Sequence, residues 1–166
     1  MTADTEEISV RLVALLPRLR RFARSLSRNQ HDADDLVQLA VERALRSLDQ
    51  FREGGNLASW LFGIVKNAWI DSCRARGRRQ EVALPEDSGD HPAVSAGDTD
   101  ASLWSVSEAM SKLPEDQRLA VALVLVEGMS YKEAAALLDI PIGTLTSRLA
   151  RGRTALAAAL SAEGPA

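Results

Sequence analysis

Cysteine is almost absent. Cys73 stands alone in 166 residues, so no disulfide can close within the chain, which suits a reducing compartment. Histidine is nearly as scarce. His31 and His91 lie far apart with no cysteine near either, so no zinc-ligand spacing exists and neither metal nor cofactor is expected. Long apolar runs are missing too. The longest, Leu119 to Val126, falls far short of the roughly 20 residues that cross a bilayer, so no membrane insertion is expected. The first residues, Met1 to Glu7, are acidic and lack an apolar centre. They do not read as a secretory signal, and a cytoplasmic location follows as an expectation. No glycine loop runs into Lys and Ser/Thr; Gly54 and Gly55 are an isolated pair. Two separated histidines cannot supply a Ser–His–Asp group. Neither an enzyme nor a small-molecule substrate is therefore expected.

What is present is an ordinary globular composition, 46% hydrophobic and 26% charged, which excludes disorder throughout. The net charge of −3 argues by itself against a nucleic-acid binder, but its distribution does not. Residues 1–80 carry 14 Lys/Arg against 10 Asp/Glu, and residues 81–112 carry one Lys against seven acids. Residues 113–166 are close to balanced, with five Lys/Arg and six acids. The acidic middle, 81–101, mixes Pro85, Pro92, Gly89 and Gly97 with acids and serines. It cannot bury enough surface to order itself. It reads as a flexible linker between two domains, 1–80 and 102–166. The alternative is one long surface loop, although loops beyond about 15 residues are uncommon within a domain.

Helical spacing dominates both flanks. Ile8, Leu12, Leu15, Leu16, Leu19, Phe22, Ala23 and Leu26 form one stripe, crossed by Pro17 and backed by Arg11, Arg18, Arg20, Arg21, Arg24 and Arg28. Pro17 is a candidate kink. Asn29 to His31 read as a turn, with Asp32 as the cap of a second helix. That helix has an inner stripe of Ala33, Leu36, Val37, Ala40, Val41, Ala44, Leu45 and Leu48. Its outer side holds Asp34, Asp35, Gln38, Leu39, Glu42 and Arg43. After the loop Phe51 to Asn56, Asn56 can cap a long helix reaching about Arg79, whose end carries Arg74, Arg76, Arg78 and Arg79. A helix dipole attracts cations there, but four arginines in six positions suit backbone phosphates. Trp60 reads as core. Phe62 and Trp69 fit equally well as core or as platforms for unpaired bases. Cys73, in a basic helix, is a structural thiol or, with a lowered pKa, a redox sensor.

In the second flank, Leu103, Val106, Met110 and Leu113 mark a helix, and Pro114 starts another whose inner face is Leu119, Ala122, Leu123 and Val126. Gly128 ends it. Ser130 and Glu133 form a capping box ahead of Ala134, Ala135, Leu137 and Leu138. Asp139 to Gly143 turn the chain, and Thr144 caps a last helix with Leu145, Leu149, Gly152 and Leu156 inside. Thr146, Ser147, Arg148, Arg151 and Arg153 face outward. Two short helices about a tight turn, the second faced with Ser, Thr and Arg, make a helix-turn-helix that suits the major groove. The alternative is a plain αα-hairpin with solvated arginines. The fold class expected is all-α: two small helical domains, the second a helix-turn-helix.

Three stretches carry a family resemblance: DADDLVQLAVERAL from Asp32, FREGGNLASWLFGIVKNAWIDSCRARGRR from Phe51, and LPEDQRLAVALVLVEGMSYKEAAALLDIPIGTLTSRLARGRTAL from Leu113. In this order, with an acidic segment between, the chain resembles the extracytoplasmic-function sigma factors of bacterial RNA polymerase. The resemblance implies that Asp34, Asp35, Leu36, Gln38, Leu39 and Arg43 dock on core polymerase. It implies that Arg52, Gly55, Asn56, Lys66, Asn67, Ser72, Arg74 and Arg76 hold the minus-ten element as a single strand. Thr144, Thr146, Ser147, Arg148, Arg151 and Arg153 would read the minus-thirty-five duplex. Core polymerase, promoter DNA and an anti-sigma factor are the implied partners. Two positions depart from the family: members often carry an acid where Leu39 stands, and many have Lys in place of Thr146. The rival readings are a stand-alone helix-turn-helix regulator and a sigma mimic that binds an anti-sigma factor. The arginines at 74–79 argue against the mimic.

Overall fold

The computed structural model describes residues 2–82 and 101–162. Residues 83–100, the bulk of the acidic segment read as a linker, lie outside the described residues. Among those described, the chain is helical throughout, with no strand.

Three helices build the first lobe. Helix α1, Thr2–Leu26, runs unbroken past Pro17, and Leu12, Leu19, Phe22, Ala23 and Leu26 of its stripe are buried. Helix α2, Gln30–Arg46, starts two residues before the expected cap. Asn29 is the N-cap, its Oδ1 accepting from Asp32 N at 2.8 Å, while its amide donates to the Asp32 carboxylate at 3.0 Å. Asparagine caps as well as aspartate does, and the dipole places Asp32 favourably in the first turn. Leu45 is not core: it is 50% exposed. Leu39 turns the other way and packs half-buried against the core. A short 3-10 turn, Leu48–Gln50, leads to α3, Leu57–Val82. Asn56 caps α3 as expected, accepting from Ser59 N at 3.1 Å. Helix α3 runs three residues past Arg79, so Glu81 and Val82 belong to it.

Among the aromatics of α3, Trp60 departs from its expected core place, and the open choice at Phe62 and Trp69 falls to the core. Phe62 and Trp69 are buried, and Phe62 meets Phe22 edge to face at 5.1 Å, joining α3 to α1. Trp60 is only half-buried and tilts against Phe51 at 5.4 Å. Helical spacing explains both outcomes. Leu61, Phe62, Val65, Ala68 and Trp69 form the inner stripe, and Trp60 falls at its border.

The second lobe holds α4, Ala101–Ser111; α5, Glu115–Val121; α6, Tyr131–Leu138; and α7, Ile142–Ala162. Val106 of α4 is 43% exposed, whereas Met110 and Leu113 are buried. Pro114 sits at the N-cap of α5, one place before the expected first turn. The expected α5 end does not hold as α-helix. Residues Ala122–Val126 wind as a π-helical turn, with Glu127 N donating to Ala122 O at 3.0 Å. Gly128, at φ +70°, then lets Met129 N close on Leu123 O, the closure for which glycine is favoured. The capping box of Ser130 and Glu133 is complete. Asp139 takes the left-handed conformation at φ 54° between α6 and α7. Helix α7 begins at Ile142, so Thr144 lies in its first turn and is not its cap. Gly152 faces α5 so closely that a Cβ there would lie 2.7 Å from Val121 Cγ2.

The two lobes pack on each other. Buried side chains of α1, α2 and α3 and those of α4 to α7 belong to one continuous apolar cluster.

Candidate nucleic-acid interface

Three surfaces gather the expected site residues. On α2, Asp34, Asp35 and Gln38 are exposed, Leu39 is half-buried, and Arg43 pairs with Asp71 of α3 at 3.0 Å. Leu36 is 5% exposed and lies in the core, so it supports this face from beneath.

The second surface is α3 and the loop before it. Arg52, Gly55, Asn56, Asn67, Arg74 and Arg76 are exposed. The Ser72 hydroxyl is turned inward, donating to Ala68 O at 3.0 Å. Lys66 is not free: its ammonium donates to Leu137 O at the end of α6, 3.1 Å away. Burial lowers its pKa, partly opposed by Asp139. Trp60, Lys66 and Asn67 line an open cleft of about 650 Å³ whose far wall is Glu133, Ala136 and Leu137 of α6. Cys73 is half-buried, and burial, reinforced by Glu115, raises its pKa. Desolvation outweighs the basic helix, so the low-pKa thiol considered from sequence is not what forms.

The third surface is the outward side of α7. Thr146, Ser147, Arg151 and Arg153 are exposed and Thr144 is half-buried. The hydroxyls of Thr146 and Ser147 donate to their own helix, to Ile142 O and Gly143 O. Arg148 is tethered by Asp116 at 3.4 Å. The unpaired chemistry of this face is therefore guanidinium, the group that forks onto guanine and phosphate.

Sequence reasoning missed the groups between the lobes. The Glu127 side chain is wholly buried. Arg21 donates to both its oxygens, at 3.0 and 3.1 Å, and Arg18 Nε lies 3.4 Å away. Arg21's pKa is raised by this hydrogen bonding and charge. Arg118, 7% exposed, donates to Leu26 O of α1 at 3.0 Å and to Ser111 O and Leu113 O. Its guanidinium also lies 5.6 Å from the centre of the Trp69 ring. Burial lowers its pKa, yet arginine stays charged in proteins. Trp69 Nε1 and Arg118 Nε are buried and donate to nothing. The one local mark at Glu127 is its place at the end of an apolar run just before glycine, which says nothing of its partners. Arg118 lies within the stretch that begins at Leu113, without any mark of its own.

Comparison with known proteins accounts for the two-lobed plan. The family Sigma-70 region 2 matches residues 12–79, and the family Sigma-70, region 4 matches residues 103–156. Their order defines a sigma-70-type transcription factor. ECF RNA polymerase sigma factor EcfG of Rhodopseudomonas palustris (strain TIE-1) is 38% identical over 160 residues, 96% of this chain and 88% of that protein. ECF RNA polymerase sigma factor SigE of Mycolicibacterium smegmatis is 40% identical over 144 residues, 84% of this chain but 56% of that protein. Among solved structures, the sigma factor RpoE of Bartonella quintana, in complex with the anti-sigma factor NepR, superposes with a TM-score of 0.79. It shares 35% identity, with 96% of this chain and 99% of that one covered. The chain belongs to the ECF RNA polymerase sigma factors.

Proposed function

We propose that this chain directs bacterial core RNA polymerase to promoters and initiates transcription there. The observation that supports this best is region 2 followed by region 4 on one chain, each ending in an exposed basic helix face. The division of labour runs over 1–80, a linker at 81–101, and 102–166. Asp34, Asp35, Gln38, Leu39 and Arg43 of α2 dock on core polymerase. The loop Arg52 to Asn56, with Lys66, Asn67, Ser72, Arg74 and Arg76, holds the opened minus-ten strand. Thr144, Thr146, Ser147, Arg148, Arg151 and Arg153 meet the minus-thirty-five duplex. The chain performs no bond-making chemistry itself and works in the cytoplasm, beside the polymerase. An anti-sigma factor restrains it, as the solved relative's partner suggests. With a net charge of −3, neither surface alone binds DNA tightly. Joined through polymerase, the two multiply their affinities by effective concentration.

Run-off transcription with purified core polymerase tests the reading. A sigma factor confers initiation; a stand-alone regulator binds duplex without it, and a mimic captures only an anti-sigma factor. In the same assay, Arg148→Ala with Arg151→Ala should weaken promoter recognition, with core binding intact. Each bidentate pairing to a base that the change removes is worth about 1–3 kcal/mol. Unchanged promoter selectivity would remove α7 from the reading.

A further inference from the structure

The outward side of α7 carries three arginines, and one of them is tied down. Among the described residues no carboxylate pairs with Arg151 or Arg153, whereas Asp116 Oδ2 of α5 lies 3.4 Å from Arg148 Nε. On charge alone an acid is misplaced on a face meant for phosphates, because it repels the duplex. Nor does the pair hold the fold together. Arg148 and Asp116 are 31% and 48% exposed, and exposed ion pairs add little to stability.

Two features fix the geometry of the pair. Asp116 is itself held: its Oδ1 accepts from Gln117 N at 2.9 Å, which leaves Oδ2 for Arg148. The backbones of α5 and α7 are also close. Gly152 stands one turn beyond Arg148, and a Cβ there would lie 2.7 Å from Val121 Cγ2 and 3.5 Å from Gln117 O. A side chain as short as aspartate can therefore reach across. Glu115, the other acid that opens α5, turns towards Cys73 of α3.

The carboxylate faces Nε, the nitrogen nearest the Arg148 backbone. The two terminal amino groups make no hydrogen bond among the described residues, and they are the ones that fork onto a guanine edge. A free arginine loses rotamer freedom when it binds, and a pre-ordered one has lost it already. We infer that Asp116 is a positioning residue for Arg148: it holds the guanidinium in its reading pose before DNA arrives, so that base selection sharpens while general attraction to phosphates falls. This rests on the reading of α7 as the duplex surface.

Asp116→Asn tests the role. Asparagine keeps an oxygen for Gln117 N and puts an amide nitrogen where Oδ2 stood, a donor that cannot pair with Arg148. The full chain, assembled with core polymerase, is offered a promoter on which the parent initiates, with its minus-thirty-five duplex randomised. Sequencing the retained DNA gives the base preference at each position. Arg148→Ala identifies the position that Arg148 reads. Asp116→Asn should lower the preference at that position about two- to tenfold and leave the others unchanged. Its affinity for a promoter with a scrambled minus-thirty-five element should hold or rise, since one negative charge is gone. In an Arg148→Ala chain the same change should add nothing. A full preference in Asp116→Asn, an equal loss at every position, weaker binding to the scrambled promoter, or the same loss with and without Arg148 would each overturn the positioning role. If Arg148→Ala leaves every preference intact, the reading of Arg148 as a base reader fails and the positioning role with it. If it erases a preference that Asp116→Asn leaves whole, only the positioning role fails.

Discussion

The outward faces of α3 and α7 have similar composition and opposite status. Both carry three or more exposed or half-buried arginines beside hydroxyls. On α7 the hydroxyls are spent on the helix backbone and the guanidinium groups point to solvent, apart from Arg148 held by Asp116. On α3 Lys66 is engaged by α6 and Arg76 donates to Cys73 Sγ at 3.5 Å, while Asn67 and Arg74 are exposed. A count of basic residues cannot separate these cases. What separates them is whether another element of the same chain supplies an acceptor. The same lesson holds for Trp60 and Phe62, neighbours in one turn, of which the larger side chain is the one left at the surface.

Three substitutions would break or sharpen this contrast. The largest effect belongs to Phe62→Ala. It empties a buried site joining α3 to α1 and should cost about 3–5 kcal/mol. Thermal unfolding followed by circular dichroism should show the first lobe melting early, with duplex recognition by α7 retained. Loss of both lobes in a single early transition would mean that the faces share one fate and are not independently supported. Next comes Gly152→Val. With Val121 Cγ2 only 2.7 Å from the position of a Cβ, overpacking should cost about 1–3 kcal/mol. It should weaken duplex binding while strand binding holds or improves; equal loss on both would erase the contrast. The smallest effect is expected at the capping box. Ser130→Ala should cost about 1 kcal/mol and loosen α6. The Glu133 carboxyl is held below the ordinary glutamate range by the Ser130 N–H and hydroxyl. Its contribution is therefore complete above the unfolded value near pH ~4.3. It is lost as pH falls from there through the lower folded value. Acid titration of helix content should show this sag in the parent and a smaller one in Ser130→Ala, which keeps the backbone N–H donor to Glu133.

Much of this architecture was legible in the sequence, and the reasons are physical. Apolar residues at three-four spacing identified α1 and α2 because burial of one helical face leaves a periodic record. The capping box and the Asn56 cap were readable because their partners lie three residues apart. The inward position of Gly152 was visible from periodicity, though not how near α5 comes. The errors cluster at borders. Asn29 and Asp32 are both good caps, and composition does not choose between them. Thr144 has the chemistry of a cap, but α7 begins at Ile142, directly after Pro141. The π-helical turn at Ala122–Val126 lay inside an uninterrupted apolar run, where no period can be read. Glu127 and Arg118 were hidden for another reason: their partners are about a hundred residues away, beyond any local pattern. That Asp34, Asp35 and Arg151 lie at the surface followed from their helix faces. Which of the candidate side chains the chain itself already occupies, Lys66 and Arg148 among them, was not readable.

Arg118 has one further consequence, for the order of events at the ribosome. Its acceptor at Leu26 and the Trp69 ring beneath it are both made before α5 is synthesised, and chains fold from the amino end first. Seating Arg118 is thus a late step in maturation. A prematurely terminated or clipped product that stops short of α5 would keep the α3 stripe packed on α1 but leave its Trp60–Lys66 side without the wall that α6 supplies.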